Sequence, residues 1–209
     1  MVPEAVVLLN QRMKTMKKMI VLAALAACGL GAVQAQESPW MVRFRATHLD
    51  WTNKDSTGLN LSTNNKVIPE VDVSYFFNKN VAAELILTVP QKQKVFAGAA
   101  DIGTFKQLPP TLLMQYHFTD LGAYKPYVGA GINYTKISSV NLTTGHTLDS
   151  HSWGGALQAG VDIPLDKNWS LNFDVKKIYI KTDVYSGGSN AGTLKLNPVA
   201  ASVGIGYRF

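Results

Sequence analysis

Charged residues recur at two-residue spacing in stretches whose alternate positions are apolar. Arg43, Arg45, Glu70, Asp72, Glu84, Asp162, Asp174 and Arg208 all fall on the polar side of such a stretch. Side chains at i and i+2 share one face of a strand, so these charges line one face of several strands. Opposite charges on adjacent strands can pair, and a charge withdrawn from water needs such a partner. Their chemistry is therefore ion pairing, a polar plug if the strands enclose a space. The commoner role of such groups is that of ion pairs that only stabilise the fold. Catalysis would fall to His48, His117, His146 and His151, with Asp149, Ser150 and Ser152 beside the last two. A nucleophile and its base must lie within hydrogen-bond reach, and neighbours such as Ser150 and His151 point to opposite faces of a strand. The four histidines show no metal-ligand spacing. The chain reads as a non-enzyme with no cofactor and no metal.

The elements that would position these charges are stretches of about ten residues with period-2 alternation. They fall at residues 40–50, 68–77, 81–89, 105–118, 124–136, 151–163, 169–182 and 199–209. In the last, Val199, Ala201, Val203, Ile205, Tyr207 and Phe209 share one face, against Pro198, Ala200, Ser202, Gly204, Gly206 and Arg208. Short turns at 78–80, 119–123 and 165–168 alternate with longer polar segments at 91–104, 137–149 and 183–192. Trp40, Tyr75, Phe77, Tyr116, Phe118, Tyr124, Trp169, Tyr207 and Phe209 cluster beside the short turns. Alternating strands, short and long connections and an aromatic girdle together predict an all-β chain, an eight-stranded antiparallel transmembrane β-barrel of the outer-membrane type. Both termini are then expected on the periplasmic side.

The start of the chain carries no such alternation. Met16-Lys17-Lys18, the apolar run 19–33 and Val33-Gln34-Ala35 predict a signal peptide over 16–35, with cleavage after Ala35 and a barrel over 36–209. Residues 1–15 read as a start-site extension, the true start being Met16 or Met13. Leu25-Ala26-Ala27-Cys28 offers a competing lipoprotein-type cleavage that would leave Cys28 lipidated. Cys28 is the only cysteine, so the exported part has no disulfide. Loss of the leader, which holds Arg12, Lys14, Lys17, Lys18 and Glu4, lowers the formal charge from +6 to +3. That mild excess gives no case for nucleic-acid binding. Nothing after Ala35 approaches the roughly 18 apolar residues of a membrane helix, so spanning requires a closed barrel.

Several segments in order resemble the outer membrane protein W (OmpW) family. They are Leu108-Pro109-Pro110-Thr111-Leu112, the run from Pro126-Tyr127-Val128-Gly129 to Tyr134-Thr135, Trp153-Gly154 to Gly160-Val161-Asp162, and the closing Gly206-Tyr207-Arg208-Phe209. The likeness spans most of the exported chain and weakens over residues 51–66 and in the long loops. It implies a narrow barrel with a hydrophobic interior that helps small apolar compounds cross the outer membrane of a Gram-negative cell.

Parity carries the inward face upward from the charges to Leu49, Ile86, Ile178, Ile180 and Leu196. These residues either pack the barrel top or line an apolar ligand site, and the family resemblance favours the latter. The parity of Ile178 and Ile180 is insecure, since Lys177 and Lys181 would face outward and a bulge could intervene. Pro109 and Pro110, with Pro90 across the same hairpin, cannot donate to a ladder. They either end the strand near its loop or leave a gap through which an apolar solute exits sideways into the bilayer. Expected partners are outer-membrane lipid, small hydrophobic solutes and the barrel-assembly machinery acting on the C-terminal strand. The competing function is a structural or surface-receptor barrel that contacts phage, toxin or host without transport.

Overall fold

Alternation sets the strands, and each strand keeps one apolar and one polar side. The structure, a computed structural model, describes residues 38–209. The start-site extension, the signal peptide with its cleavage site and Cys28 lie outside the described residues. The described residues form fifteen strands: β1 (Trp40–Asp50), β2 (Lys54–Asp55), β3 (Leu61–Thr63), β4 (Lys66–Phe76), β5 (Val81–Thr88), β6 (Gln91–Ala97), β7 (Ala100–Leu108), β8 (Thr111–His117), β9 (Lys125–Leu142), β10 (Thr147–Leu148), β11 (His151–Pro164), β12 (Trp169–Ile178), β13 (Lys181–Ser186), β14 (Ser189–Lys195) and β15 (Val199–Arg208).

Eight of them close a barrel. β1, β4, β5, β8, β9, β11, β12 and β15 each pair antiparallel with the next, and β15 returns to β1. The predicted eight-stranded antiparallel barrel is therefore what the chain forms. The remaining strands extend its long-loop end. The β6–β7 hairpin pairs through β7 with the upper part of β9 and through β6 with β3. A second sheet runs in the order β10-β13-β14-β2.

The burial pattern is inverted relative to a water-soluble protein. Phe44, Leu112, Val128, Leu157, Phe173 and Val203 are exposed on the outer face, while Arg43, Asp72, Glu84 and Asn172 are fully buried inside. An apolar exterior over a polar interior suits a barrel whose outer face meets lipid. Edge-to-face aromatic pairs ring the short-turn end: Trp40 with Tyr75 at 4.9 Å, Tyr116 with Phe118 at 5.1 Å and Trp169 with Tyr207 at 4.9 Å. The turns there are tight. Asp166 caps one by accepting from the amides of Asn168 and Trp169 at 2.8 and 2.7 Å.

Five segments differ from the expected outline. The expected strand 105–118 breaks at Pro109 and Pro110 between β7 and β8, and residues 137–149, expected as a loop, hold the end of β9 and β10. Residues 91–104, expected as a loop, form the β6–β7 hairpin, turning at Gly98 with φ +58°. Residues 183–192 belong largely to β13 and β14, turning at Gly187 and Gly188. The expected strand 169–182 is interrupted at Tyr179 and Ile180, between β12 and β13. In the two hairpins polar residues on the outer face conceal an inner alternation.

Candidate functional site

The register places the first charges face to face. Arg43 lies opposite Asp72 and Arg45 opposite Glu70 across β1 and β4. On the other side of β1, the same residues lie opposite Gly206 and Gly204 of β15. A Cβ on Gly204 would stand 2.1 Å from the Phe44 carbonyl oxygen and 2.8 Å from the Arg45 Cγ. The two glycines thus give the arginine stems room to rise into the lumen.

From there both guanidiniums reach across the barrel. Arg43 donates from Nε and Nη2 to the two oxygens of Asp162 at 3.1 and 2.6 Å, and from Nη1 to Ser74 and Glu84 at 2.9 and 3.2 Å. Arg45 donates to Asn172 at 2.7 Å, to Glu70 at 3.1 Å and to Glu84 at 3.1 Å, and approaches Asp72 at 3.0 Å. A third cation, Lys176, donates to Glu70 and Asp174, both at 2.7 Å. Tyr127 donates to Asp174 at 2.9 Å, and Gln158 to Glu84 at 2.8 Å. Two guanidiniums and one ammonium thus hold five carboxylates in one buried network drawn from six strands. Such a network fills the cross-section of an eight-stranded barrel, whose bore is about one side-chain layer wide.

Seven of the eight charges read from the sequence meet here. Arg208 does not join them at the same level. It lies opposite Met41, one layer nearer the short-turn end. Its Nε donates to the Ser38 carbonyl at 3.0 Å and its guanidinium sits 4.3 Å from the Phe76 ring centre. Glu84, Asp162 and Asp174, which share its inward face, are held by Arg43, Arg45 and Lys176. Lys176, Tyr127, Asn172, Gln158 and Gln115 were missed. Lys176 follows Asp174 by two positions, so the alternation that found the aspartate also contained it. His117 is buried beneath the network, stacked on Tyr127 at 4.9 Å and 3.0 Å from Gln115.

Above the network the lining turns apolar. Leu49, Ile86, Ile178, Ile180 and Leu196 are all buried in one cluster with Trp51, Ile68, Phe105, Leu113, Ile137 and Leu194. The inward placement of Ile178 and Ile180 survives the interruption after β12, because exposure still alternates from Lys176 to Thr182.

The prolines fall where the wall comes apart. Pairing of β5 with β8 stops at Ile86 opposite Thr111, and the hairpin resumes at Gln91 opposite Gln107. Val89-Pro90 on one arm and Pro109-Pro110 on the other occupy the interval. The β4–β5 ladder also starts only at Glu70 opposite Thr88, with Pro69 just above it, so Pro69 belongs with the other three. Asn133 ties the break from inside, its amide donating to the carbonyls of Pro109 and Pro110 at 3.3 and 3.2 Å and to the Thr111 hydroxyl at 2.8 Å. Nearby, Gln93 and Gln107 are 0% and 1% exposed, and neither amide has a partner among the described residues.

The catalytic candidates are dispersed. His48 is exposed on the outer face of β1, and His146 contacts Thr144 at 2.8 Å. Ser150 and His151 do approach, Oγ to Nδ1 at 3.1 Å, contrary to the opposed-face expectation. Ser150 precedes β11, so strand alternation does not govern it. Among the described residues no carboxylate pairs with His151, and no group of acidic, histidine or cysteine side chains could hold a metal ion.

Comparison with known proteins accords with this geometry. A profile of the OmpW family matches residues 31–209. The chain belongs to the OmpW family. An outer-membrane protein of Sinorhizobium fredii, y4mB, is 41% identical over 90% of this chain and 93% of its own length. PahQ, a dibenzothiophene metabolism operon protein of Pseudomonas aeruginosa, is 29% identical over 92% of this chain and 99% of its own. The crystal structure of the outer membrane protein OprG from Pseudomonas aeruginosa shares the fold, with a TM-score of 0.70, 23% identity, and coverage of 85% of this chain and 99% of that one. This OmpW-family chain is thus an outer-membrane β-barrel.

Proposed function

We propose that the barrel binds small hydrophobic molecules in its apolar upper lumen and passes them sideways into the bilayer above the charged plug. The observation that carries this reading is the coincidence of two features at one height. The apolar cluster ends below at the ion network, and the wall is interrupted beside it between Ile86 and Gln91. Ile68 and Ile86 line the inner side of the break. Val67, Leu87 and Val89 stand exposed on the outer side at 61, 43 and 56%. A solute stopped by the plug meets apolar side chains on both the inner and the outer side of the break, whereas continuing downward would bring it among charges that gain nothing from it. PahQ, by its name a dibenzothiophene metabolism operon protein, supports an apolar aromatic solute.

Replacing Pro109 and Pro110 together with valine restores two amide donors to the arm preceding β8. Uptake of an aromatic hydrocarbon into proteoliposomes should slow several-fold while the heat-modifiable gel shift of the folded barrel persists. Unchanged uptake by this folded variant would refute the lateral route.

A further inference from the structure

The outer face of the long-loop end carries a row of cations that the transport reading does not use. In the β13-β14-β2 sheet, Lys181 lies directly opposite Lys195, and Lys195 directly opposite Lys54. All three are exposed. Directly opposed residues have Cβ atoms about 4.5–5.5 Å apart, and like charges so placed repel. Among the described residues none of the three pairs with a carboxylate. Of the acids on the same strands, Asp55 turns to the other face and accepts from Thr57 at 2.9 Å, while Asp183, two positions beyond Lys181 on the same face, is engaged by the Thr193 hydroxyl at 2.6 Å. Three aligned ammonium groups, none held by a carboxylate among the described residues, suit an anion.

Its height says which anion. Lys181 follows the exposed Tyr179 by two positions, and Tyr179 follows the lipid-facing Phe173 and Val175 on the same side. Two residues of strand amount to about 7 Å, the step from an interfacial aromatic to the headgroup layer. The same order recurs elsewhere around the barrel. Tyr134 packs on Trp153 at 4.8 Å, and the exposed Lys136 lies two positions further up β9.

We propose that Lys54, Lys195 and Lys181 bind the phosphate of a lipid headgroup in the leaflet around the long-loop end. The row then fixes the barrel's depth, and its repulsion is relieved on insertion.

The test uses the full barrel folded in alkyl maltoside micelles, which carry no phosphate. Dioleoyl phosphatidic acid and dioleoylglycerol, identical but for the phosphate, are titrated separately and bound lipid is read by native mass spectrometry. The unmodified protein should retain phosphatidic acid and release diacylglycerol, and binding should weaken as salt is raised. Lys54→Gln/Lys181→Gln/Lys195→Gln should weaken phosphatidic acid roughly a hundredfold, at about fivefold per lysine near an anionic surface. Lys79→Gln, at the short-turn end, should change nothing. Should the triple variant fail to fold, Lys195→Gln alone, at the centre of the row, should still show about a fivefold loss. Equal retention of both lipids, or full binding by the lysine variants, overturns the proposal. Displacement of phosphatidic acid by inorganic phosphate at equal concentration would make this a free-anion site and overturn the lipid assignment.

Discussion

Arg43 holds both oxygens of Asp162, 119 positions away, through two parallel bonds of 3.1 and 2.6 Å inside the barrel. Both side chains are withdrawn from water, at 0 and 5% exposure. Removing one partner strands the other, which costs about 3–5 kcal/mol for a buried pair. Arg43→Met should lower the unfolding midpoint in urea accordingly. Arg43→Met/Asp162→Leu should cost less than the two single changes summed, because the pair is coupled. If the network also seals the lumen, planar-bilayer recordings should show ion steps for Arg43→Met and a quiet baseline for the unmodified protein.

Lys176 and Lys177 are neighbours with opposite fates. Lys176 is buried between Glu70 and Asp174. Lys177 reaches along the outer wall to the Asn197 carbonyl at 2.6 Å and the Thr52 hydroxyl at 2.9 Å. Lys176→Met should cost about 3–5 kcal/mol by leaving two carboxylates short of a cation. Lys177→Met should cost about 1 kcal/mol, the net worth of ordinary hydrogen bonds. Urea titrations of the two variants in the same detergent make the comparison.

That pair also shows what sequence conveys here. Period-2 alternation is a local rule, so it placed Arg43, Asp72, Glu84 and Asp174 on the inner face without knowledge of their partners. It could not tell which acid meets which base, because pairing depends on how strands β1, β4, β5, β11 and β12 converge across the lumen. Arg208 illustrates the limit: its parity is that of the plug, but its height is not. Above the bilayer the outer face becomes polar, so the contrast between faces fades and the β6–β7 and β13–β14 hairpins read as loops. The Pro-Pro break was visible because proline's missing donor is a property of the residue itself. Asn133, which ties that break, is an ordinary polar residue until the fold brings it to the Pro109 and Pro110 carbonyls.

Gly204 is predicted to be intolerant of any side chain. An added Cβ would lie 2.1 Å from the Phe44 carbonyl oxygen, a backbone atom of the adjacent strand. Overpacking of this kind typically costs about 1–3 kcal/mol, more where backbone must move. Gly204→Ala should lower the unfolding midpoint, and Gly204→Leu should prevent closure of β1 on β15. Loss of the heat-modifiable gel shift reports the latter.

Gln93 and Gln107 point the other way. Each buries an amide without a partner among the described residues, and an unmet buried polar group costs about 1–3 kcal/mol. Gln93→Leu/Gln107→Leu should therefore raise the unfolding midpoint in solute-free detergent. A fall would show that both amides are partnered by something held in the lumen.

Asp55 gives the long-loop end a pH dependence. Its partial burial alone would push the carboxyl pKa up. The amides of Thr57, Leu61 and Leu59 and the Thr57 hydroxyl outweigh that and hold it below the ordinary value. Two of these bonds, from the Thr57 amide at 2.9 Å and the Leu61 amide at 3.2 Å, fold residues 55–61 back on themselves. A depressed carboxyl stabilises the folded loop above its ordinary pKa of about 3.9, and that contribution is lost as pH falls through the lower folded value. Hydrogen exchange at Thr57 and Leu61 should therefore stay protected from neutral pH down to about 4 and lose protection below it, after correction for intrinsic exchange rates. Asp55→Asn should show reduced protection at neutral pH and no further acid-dependent loss, since its side chain keeps one acceptor oxygen where the carboxylate offered two and carries no charge to titrate. Unchanged protection in Asp55→Asn would place the loop's stability in the β14–β2 pairing of Leu194 with Asp55 rather than in the carboxylate.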